Sequence, residues 1–237
     1  MKKQQGGFTL IEMVIVIVLL GIVSLVIGQI INAAGRGYRT RGVMKSLQSG
    51  GRLAMMLLER ELRHAVPNSV RISAGGEALE FGRTAYGGSY NAITGAVLHV
   101  DDDLSGRNFS GMWLVIYNTG TSDFYSGGSR FPIVTNTADR ITCGGVISRS
   151  SPGQRYYVCD SAIKVSRNSD ALLYYSGYEP GAGEDHGQFL CRQVAAIRFV
   201  LQPGTLAAEP AVAVTLSLAE KSLPLVLNHR IRLVNFP

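Results

Sequence analysis

The chain has 237 residues, 46% of them hydrophobic and only 17% charged, with 28 glycines and a net charge of +6. Such a low-charge, turn-rich composition argues against a long soluble helical bundle and suits one β-rich domain with a sizeable core. The positive excess is modest and scattered, with no basic run, so it permits contact with nucleic acid or an anionic surface without implying it.

The first element is the most informative. Lys2 and Lys3 precede a Gly7-Phe8 step, and an apolar run follows that step as far as Ile31. A secretory signal is cut after its apolar region. Here the plausible cut lies ahead of it, so cleavage after Gly7 would leave the apolar helix on the mature chain, beginning at Phe8. The run is long enough to cross a hydrocarbon core of about 30 Å at about 1.5 Å per residue. Glu12 stands alone in it, and an unpaired carboxylate in hydrocarbon costs roughly 2.5 kcal/mol or more, which by default marks a function and a partner. The alternative is an ordinary signal anchor with an incidental glutamate. The cations conflict with the orientation expected below. Arg36, Arg39, Arg41 and Lys45 outnumber Lys2 and Lys3, which by the positive-inside rule alone would leave the large domain in the cytoplasm. Arg36, Arg39 and Arg41 form a collar that suits lipid headgroups or acidic residues of an adjoining subunit.

Helix is expected to continue from residue 32 to about 66, although Gly35, Gly37, Gly42, Gly50 and Gly51 weaken it by about 1 kcal/mol each and mark possible kinks. Leu47, Met55, Leu58 and Leu62 fall near one face, with Arg52, Glu59, Arg60 and Arg63 mostly off it. Pro67 disfavours helix in the residue before it, which puts the end near Ala65 or Val66. From residue 68 the period changes to two. Strands are expected at 78–83, 96–100, 112–118, 155–160, 162–166, 171–176, 188–201, 211–219 and 225–235. The last two are joined by a link short enough for a hairpin. A helix followed only by antiparallel strands gives an α+β fold, with the sheet on the helix's second half. The expected divisions are 1–7, 8–31, 32–66 and 67–237.

Chemistry is sparse. There is no nucleophile elbow, no phosphate-binding glycine loop and no zinc-protease helix motif, so no enzyme and no cofactor are expected. His64, His99, His186 and His229 are far apart, and His229 shares a strand face with Leu227 and Ile231, as a hydrogen-bonded core histidine would. Asp101-Asp102-Asp103 offers clustered carboxylates to a hard cation such as Ca²⁺, but the EF-hand spacing is missing and a solvated turn reads better. Glu184-Asp185-His186 reads the same way, and no metal site is expected. Cys143, Cys159 and Cys191 fit no zinc pattern. One disulfide is expected, Cys143–Cys159 over the cross-strand alternative Cys159–Cys191, with three buried thiols as the remaining option.

The junction Gly7-Phe8-Thr9-Leu10-Ile11-Glu12 resembles the N-terminal signal of type IV pilins and type II secretion pseudopilins. That resemblance implies cleavage between Gly7 and Phe8 and N-methylation of Phe8 by a prepilin peptidase. It also implies a pairing of Glu12 with a neighbouring subunit's N-terminal ammonium. Such a pair would remove two isolated charges from an apolar bundle and favour one axial stagger. Two further stretches, 60–71 and 227–237, together with Tyr174-Tyr175-Ser176-Gly177-Tyr178, are similar to the MshO group of minor pilins from mannose-sensitive haemagglutinin (MSHA) pilus biogenesis. Residues from about 86 to 153 carry no family pattern, and the cysteine expected near Ile197 in that group is missing. The implied setting is the inner membrane, single-pass, with a periplasmic C-terminal domain. The implied partners are other minor and major pilins, the peptidase and an inner-membrane assembly platform; nucleic acid is not among them. A minor pseudopilin of type II secretion, of the GspJ kind, and a DNA- or glycan-binding module at a fibre tip are the alternatives.

Overall fold

The computed structural model describes residues 9–178, 187–204 and 209–233. The chain forms two compact units, residues 1–46 and 47–237. It is α+β, as expected. Helix α1, Leu10–Arg63, contributes to both units. Among the described residues of the first unit it is the only element, and Gly21, Gly28, Gly35, Gly37 and Gly42 do not interrupt it.

In the second unit the last turns of α1 bury Leu47, Gly51, Ala54, Met55, Leu58, Glu61 and Leu62, a stripe at the spacing of one helix face. Each fully buried leucine among them contributes about 1.5–3 kcal/mol. The helix ends earlier than expected. His64 N–H donates to the Glu61 carbonyl (3.0 Å) and Ala65 N–H to that of Leu62 (3.1 Å), tightening the final turn. The next residues pair with a strand instead: Val66 N–H donates to the Gly82 carbonyl (2.8 Å), and Thr84 N–H to that of His64 (2.7 Å). Pro67 acts only on Val66; strand pairing removes the two residues before it.

The strands are β1 Arg71–Ile72, β2 Ala78–Thr94, β3 Val97–Val100, β4 Trp113–Ile116, β5 Arg130–Asn136, β6 Arg140–Cys143, β7 Arg155–Asn168, β8 Ala171–Tyr178, β9 Gln188–Arg192, β10 Val194–Gln202, β11 Ala211–Glu220 and β12 Leu223–Arg232, with a short helix α2, Thr121–Tyr125, after β4. All the pairings are antiparallel. The long β2 pairs with β7 through its first part and with β3 through its last, so β2-β3-β6-β5-β4-β7 close into a ring. Leu98, Leu104, Leu114, Ile116, Ile141, Tyr156 and Val158 fill its interior. Strands β8 and β9 extend the sheet beyond β7.

The second sheet, β10-β11-β12, presents Val212, Val214, Leu216 and Leu218 as a buried face, the alternation the sequence predicts. Its contact with α1 is close. A Cβ placed on Gly51 would sit 2.5 Å from Leu227 Cδ1 and 2.9 Å from Leu218 Cδ1. Lys221 (φ 49°) and Ser222 (φ 68°) make the two-residue turn of the β11–β12 hairpin, both in the left-handed region that such a turn requires.

Several expectations need correction. Segments 155–160 and 162–166 are one strand, and 188–201 is two, broken at left-handed Gln193 (φ 63°) where the chain passes from one sheet to the other. Strands β1, β5 and β6 and helix α2 went unpredicted. The Cys143–Cys159 disulfide is absent, because all three cysteines are buried free thiols. Cys143 points into the ring interior and Cys159 to the other side of the wall, beside Val66, Val115 and Phe124. Their strands are not neighbours either way round the ring. With strands about 4.8 Å apart, the Cα atoms exceed the reach of about 7 Å that a bridge tolerates. Cys191 pairs with Leu172, which pairs with Arg167, so it too is far along the sheet from Cys159.

Candidate functional site

Gly7 and Phe8, the expected processing residues, lie outside the described residues. The element that follows them is plain. Large apolar side chains from Leu10 to Ile31 are between 43% and 84% exposed, a contiguous surface that water does not favour and that a membrane or other helices would cover. α1 is long and apolar enough to cross a membrane by length and composition.

Glu12 sits in the first turn of α1 and is exposed. Its N–H is bonded to the Thr9 carbonyl (3.2 Å) and lies 3.4 Å from Thr9 Oγ1. Thr9 therefore takes the N-cap position and Glu12 the third helical position, and only the half of a capping box in which the threonine faces the third N–H is formed. A carboxylate there is also favoured by the partial positive charge of the helix N-terminus. Among the described residues no cation pairs with it. Sequence reasoning missed the cap, although the Thr-x-x-Glu spacing ahead of an apolar run announces it. Arg36, Arg39 and Arg41 are all exposed.

The other end of α1 is fixed by charge. Glu61, on the apolar stripe and 8% exposed, accepts from Arg60 Nη2 (2.9 Å) and from the Tyr174 hydroxyl (3.2 Å), with Arg83 Nη1 at 3.9 Å. Arg83 in turn holds Asp160 through two nitrogens. This network joins α1 to β2, β7 and β8. Glu59, on the neighbouring face, meets His229 Nε2 at 3.0 Å and pairs with Arg63. Those hydrogen bonds hold its carboxyl below the ordinary glutamate range, His229 contributing most. His229 is thus partnered, as expected, but half-exposed rather than core.

The three aspartates diverge. Asp101 accepts from Asn91 Nδ2 (2.9 Å), Asp103 accepts from the Ser105 N–H (2.9 Å), and Asp102 turns inward to Tyr156. No group of three metal-ligating side chains occurs among the described residues. Glu184, Asp185 and His186 lie outside them.

Asp102 and Tyr156 line a cavity of about 500 Å³ bounded by Arg63, His64, Gly87, Gly88, Arg155 and Tyr157. A smaller cavity of about 170 Å³, with Asn68, Tyr117, Asn118 and Pro152 in its wall, shares Pro67, Gly153, Arg155 and Tyr157 with the first, so the two make one groove. Left-handed Asn68 (φ 58°), Tyr117 (φ 47°) and Gln154 (φ 51°) stand around it. A bulky Tyr rarely adopts that conformation. Here it is held by Arg149, which donates to the Tyr117 carbonyl (3.1 Å) and pairs with Asp123. Nothing in the sequence pattern marks this groove.

The family model described as the prokaryotic N-terminal methylation motif matches residues 2–28. Comparison with curated proteins and with solved structures returns no match. The motif and the apolar helix behind it support a type IV pilin- or pseudopilin-like protein and point to a structural subunit. They imply processing by a prepilin peptidase and assembly with other pilins, and they are consistent with membrane anchoring.

Proposed function

We propose that the chain is a minor pilin that takes part in priming or capping a type IV pilus of the MSHA kind. It is cut between Gly7 and Phe8, methylated at Phe8 and held in the inner membrane by residues 8–31, with its folded domain in the periplasm. The observation that carries this reading is the exposed apolar length of α1 directly behind the methylation motif. A cover for that surface must come from lipid before assembly and from the helices of other pilins after it. The similarity of 60–71 and 227–237 to MSHA minor pilins favours that filament over a type II secretion pseudopilus.

Glu12 is the assembly residue in this reading. Its cap to Thr9 uses the backbone and leaves the carboxylate open to a neighbour's N-terminal ammonium. Replacing it with leucine should leave membrane insertion intact, since an apolar side chain is cheaper in hydrocarbon. In a helical bundle the same change strands the neighbour's ammonium, and breaking a buried pair on one side costs about 3–5 kcal/mol. Membrane fractionation beside co-purification with other minor pilins checks this: Glu12→Leu should fractionate as native does and fail to co-purify. N-terminal mass spectrometry of the extracted protein should return methylated Phe8. A chain that still begins at Met1, or that is cut after the apolar run, overturns the reading.

A further inference from the structure

The groove lies on the folded domain, and its walls have a definite chemistry. Tyr156 is fully buried, and its hydroxyl lies with Asp102 Oδ2 in a closed floor beneath Gly88. Neither atom completes a hydrogen bond of normal geometry within the described residues. Asp102 is nevertheless only half-buried and lines the cavity, with no other hydrogen bond or ion pair among the described residues, so its carboxylate has acceptor capacity to spare. Gly88 is required there, since a Cβ on it would lie 1.7 Å from Asp102 Oδ2. Exposed His64 and Arg155 stand at the rim, Arg63 engaged by Glu59 and Arg155 hydrogen-bonded to the Tyr157 hydroxyl with further N–H groups of its guanidinium to spare. Tyr117 and Tyr157 offer ring surface alongside. Backbone strain of the kind seen at Tyr117 persists only where the surroundings hold it, and it gathers at binding sites.

From these features we infer that the groove binds an acidic saccharide, a sugar ring carrying both free hydroxyls and a carboxylate. A hydroxyl donates to Asp102, the carboxylate accepts from Arg155 with His64 near it, and the apolar face of the ring lies on tyrosine. A phosphate diester has no donor for Asp102, and an ammonium has no acceptor for Arg155. Single-stranded nucleic acid needs a basic track with successive stacking aromatics, and a rim whose Arg63 is held by Glu59 and whose Arg155 reaches the Tyr157 hydroxyl does not make one. The inference goes beyond the assembly role and holds for either kind of filament.

The test is calorimetric titration of the full chain in detergent with trigalacturonic acid, its methyl ester and a single-stranded oligothymidine. The acid should bind, and the ester, which lacks only the charges, should bind at least about tenfold more weakly. Arg155→Gln, at an exposed position, should erase the preference for the acid while leaving the thermal melt of the domain cooperative. Asp102→Asn, nearly isosteric, should weaken acid and ester alike. Exposed Arg232→Gln, on β12, should change neither. No heat with the acid, equal affinity for acid and ester, tighter binding of the oligonucleotide, or indifference to Arg155→Gln each overturns the inference.

Discussion

Glu59 shows how one side chain ties distant parts of the sequence together, because its partners are a turn away on α1 and 170 positions away on β12. Its carboxyl is held below the ordinary range by His229 first and Arg63 second. A depressed carboxylate stabilises the fold above its unfolded pKa, and the contribution is lost as pH falls through the folded one. Glu59→Gln should therefore unfold at lower denaturant than the native chain at pH 7, and the gap should narrow as pH falls below the ordinary glutamate range. Chemical denaturation at pH 7 and below that range checks it. The cysteines make a second prediction at this scale. Burial pushes Cys143 up to about 11, Cys159 up to about 12 and Cys191 up to about 11. The thiolate is the reactive species, so thiol reagents should label the folded protein slowly and find three thiols, with no disulfide, once it is denatured.

At the scale of elements, α1 carries two adjacent glycines in opposite situations. Around Gly50 nothing lies within 4 Å, whereas a Cβ on Gly51 would press on Leu227 and Leu218. Gly50→Ala should stabilise by up to about 1 kcal/mol through helix propensity. Gly51→Ala gains the same propensity but overpacks a sealed contact, at about 1–3 kcal/mol, so its net effect should be destabilising or at best neutral. Thermal melts of the two variants separate the cases. The stripe of Leu47, Met55, Leu58 and Leu62 was legible in the sequence because helical period and burial coincide, and β11 was legible because its alternation is unbroken. Strands β5 and β6 were not. β5 carries Pro132 and β6 is only four residues long, so neither shows enough alternation to stand out. Nor does local pattern reveal that β2 continues to Thr94, because Gly87, Gly88 and Ser89 read as a turn until β7 is there to pair with them.

For the whole molecule, the second compact unit begins at Leu47, within the stripe that the strands cover. A chain starting at Arg36 should be soluble and unfold cooperatively, with mixed helix and strand by circular dichroism. One starting at Leu58 loses Leu47, Gly51, Ala54 and Met55 from the core and should aggregate. Size-exclusion chromatography of the two tests the boundary. The apolar segment was legible because its physics is local, a Gly-Phe step, an apolar run and a lone carboxylate. The groove was not, because Asp102, Tyr156, Gly88 and Arg155 meet only through the ring's closure.

That closure also sets a timetable. The chain is made from its N-terminus, so α1 is complete when the ring is still missing β7 and the second sheet has not begun. The face from Leu47 to Leu62 must then wait for β11 and β12, the last strands described. Contacts so far apart in sequence are slow to form, because loop closure has to be offset before they reward it. Until β12 arrives the half-made domain carries a bare helix face and open strand edges, the surfaces on which misassembly begins. A break shortly before β12 should therefore be far more harmful than the few residues it removes would suggest.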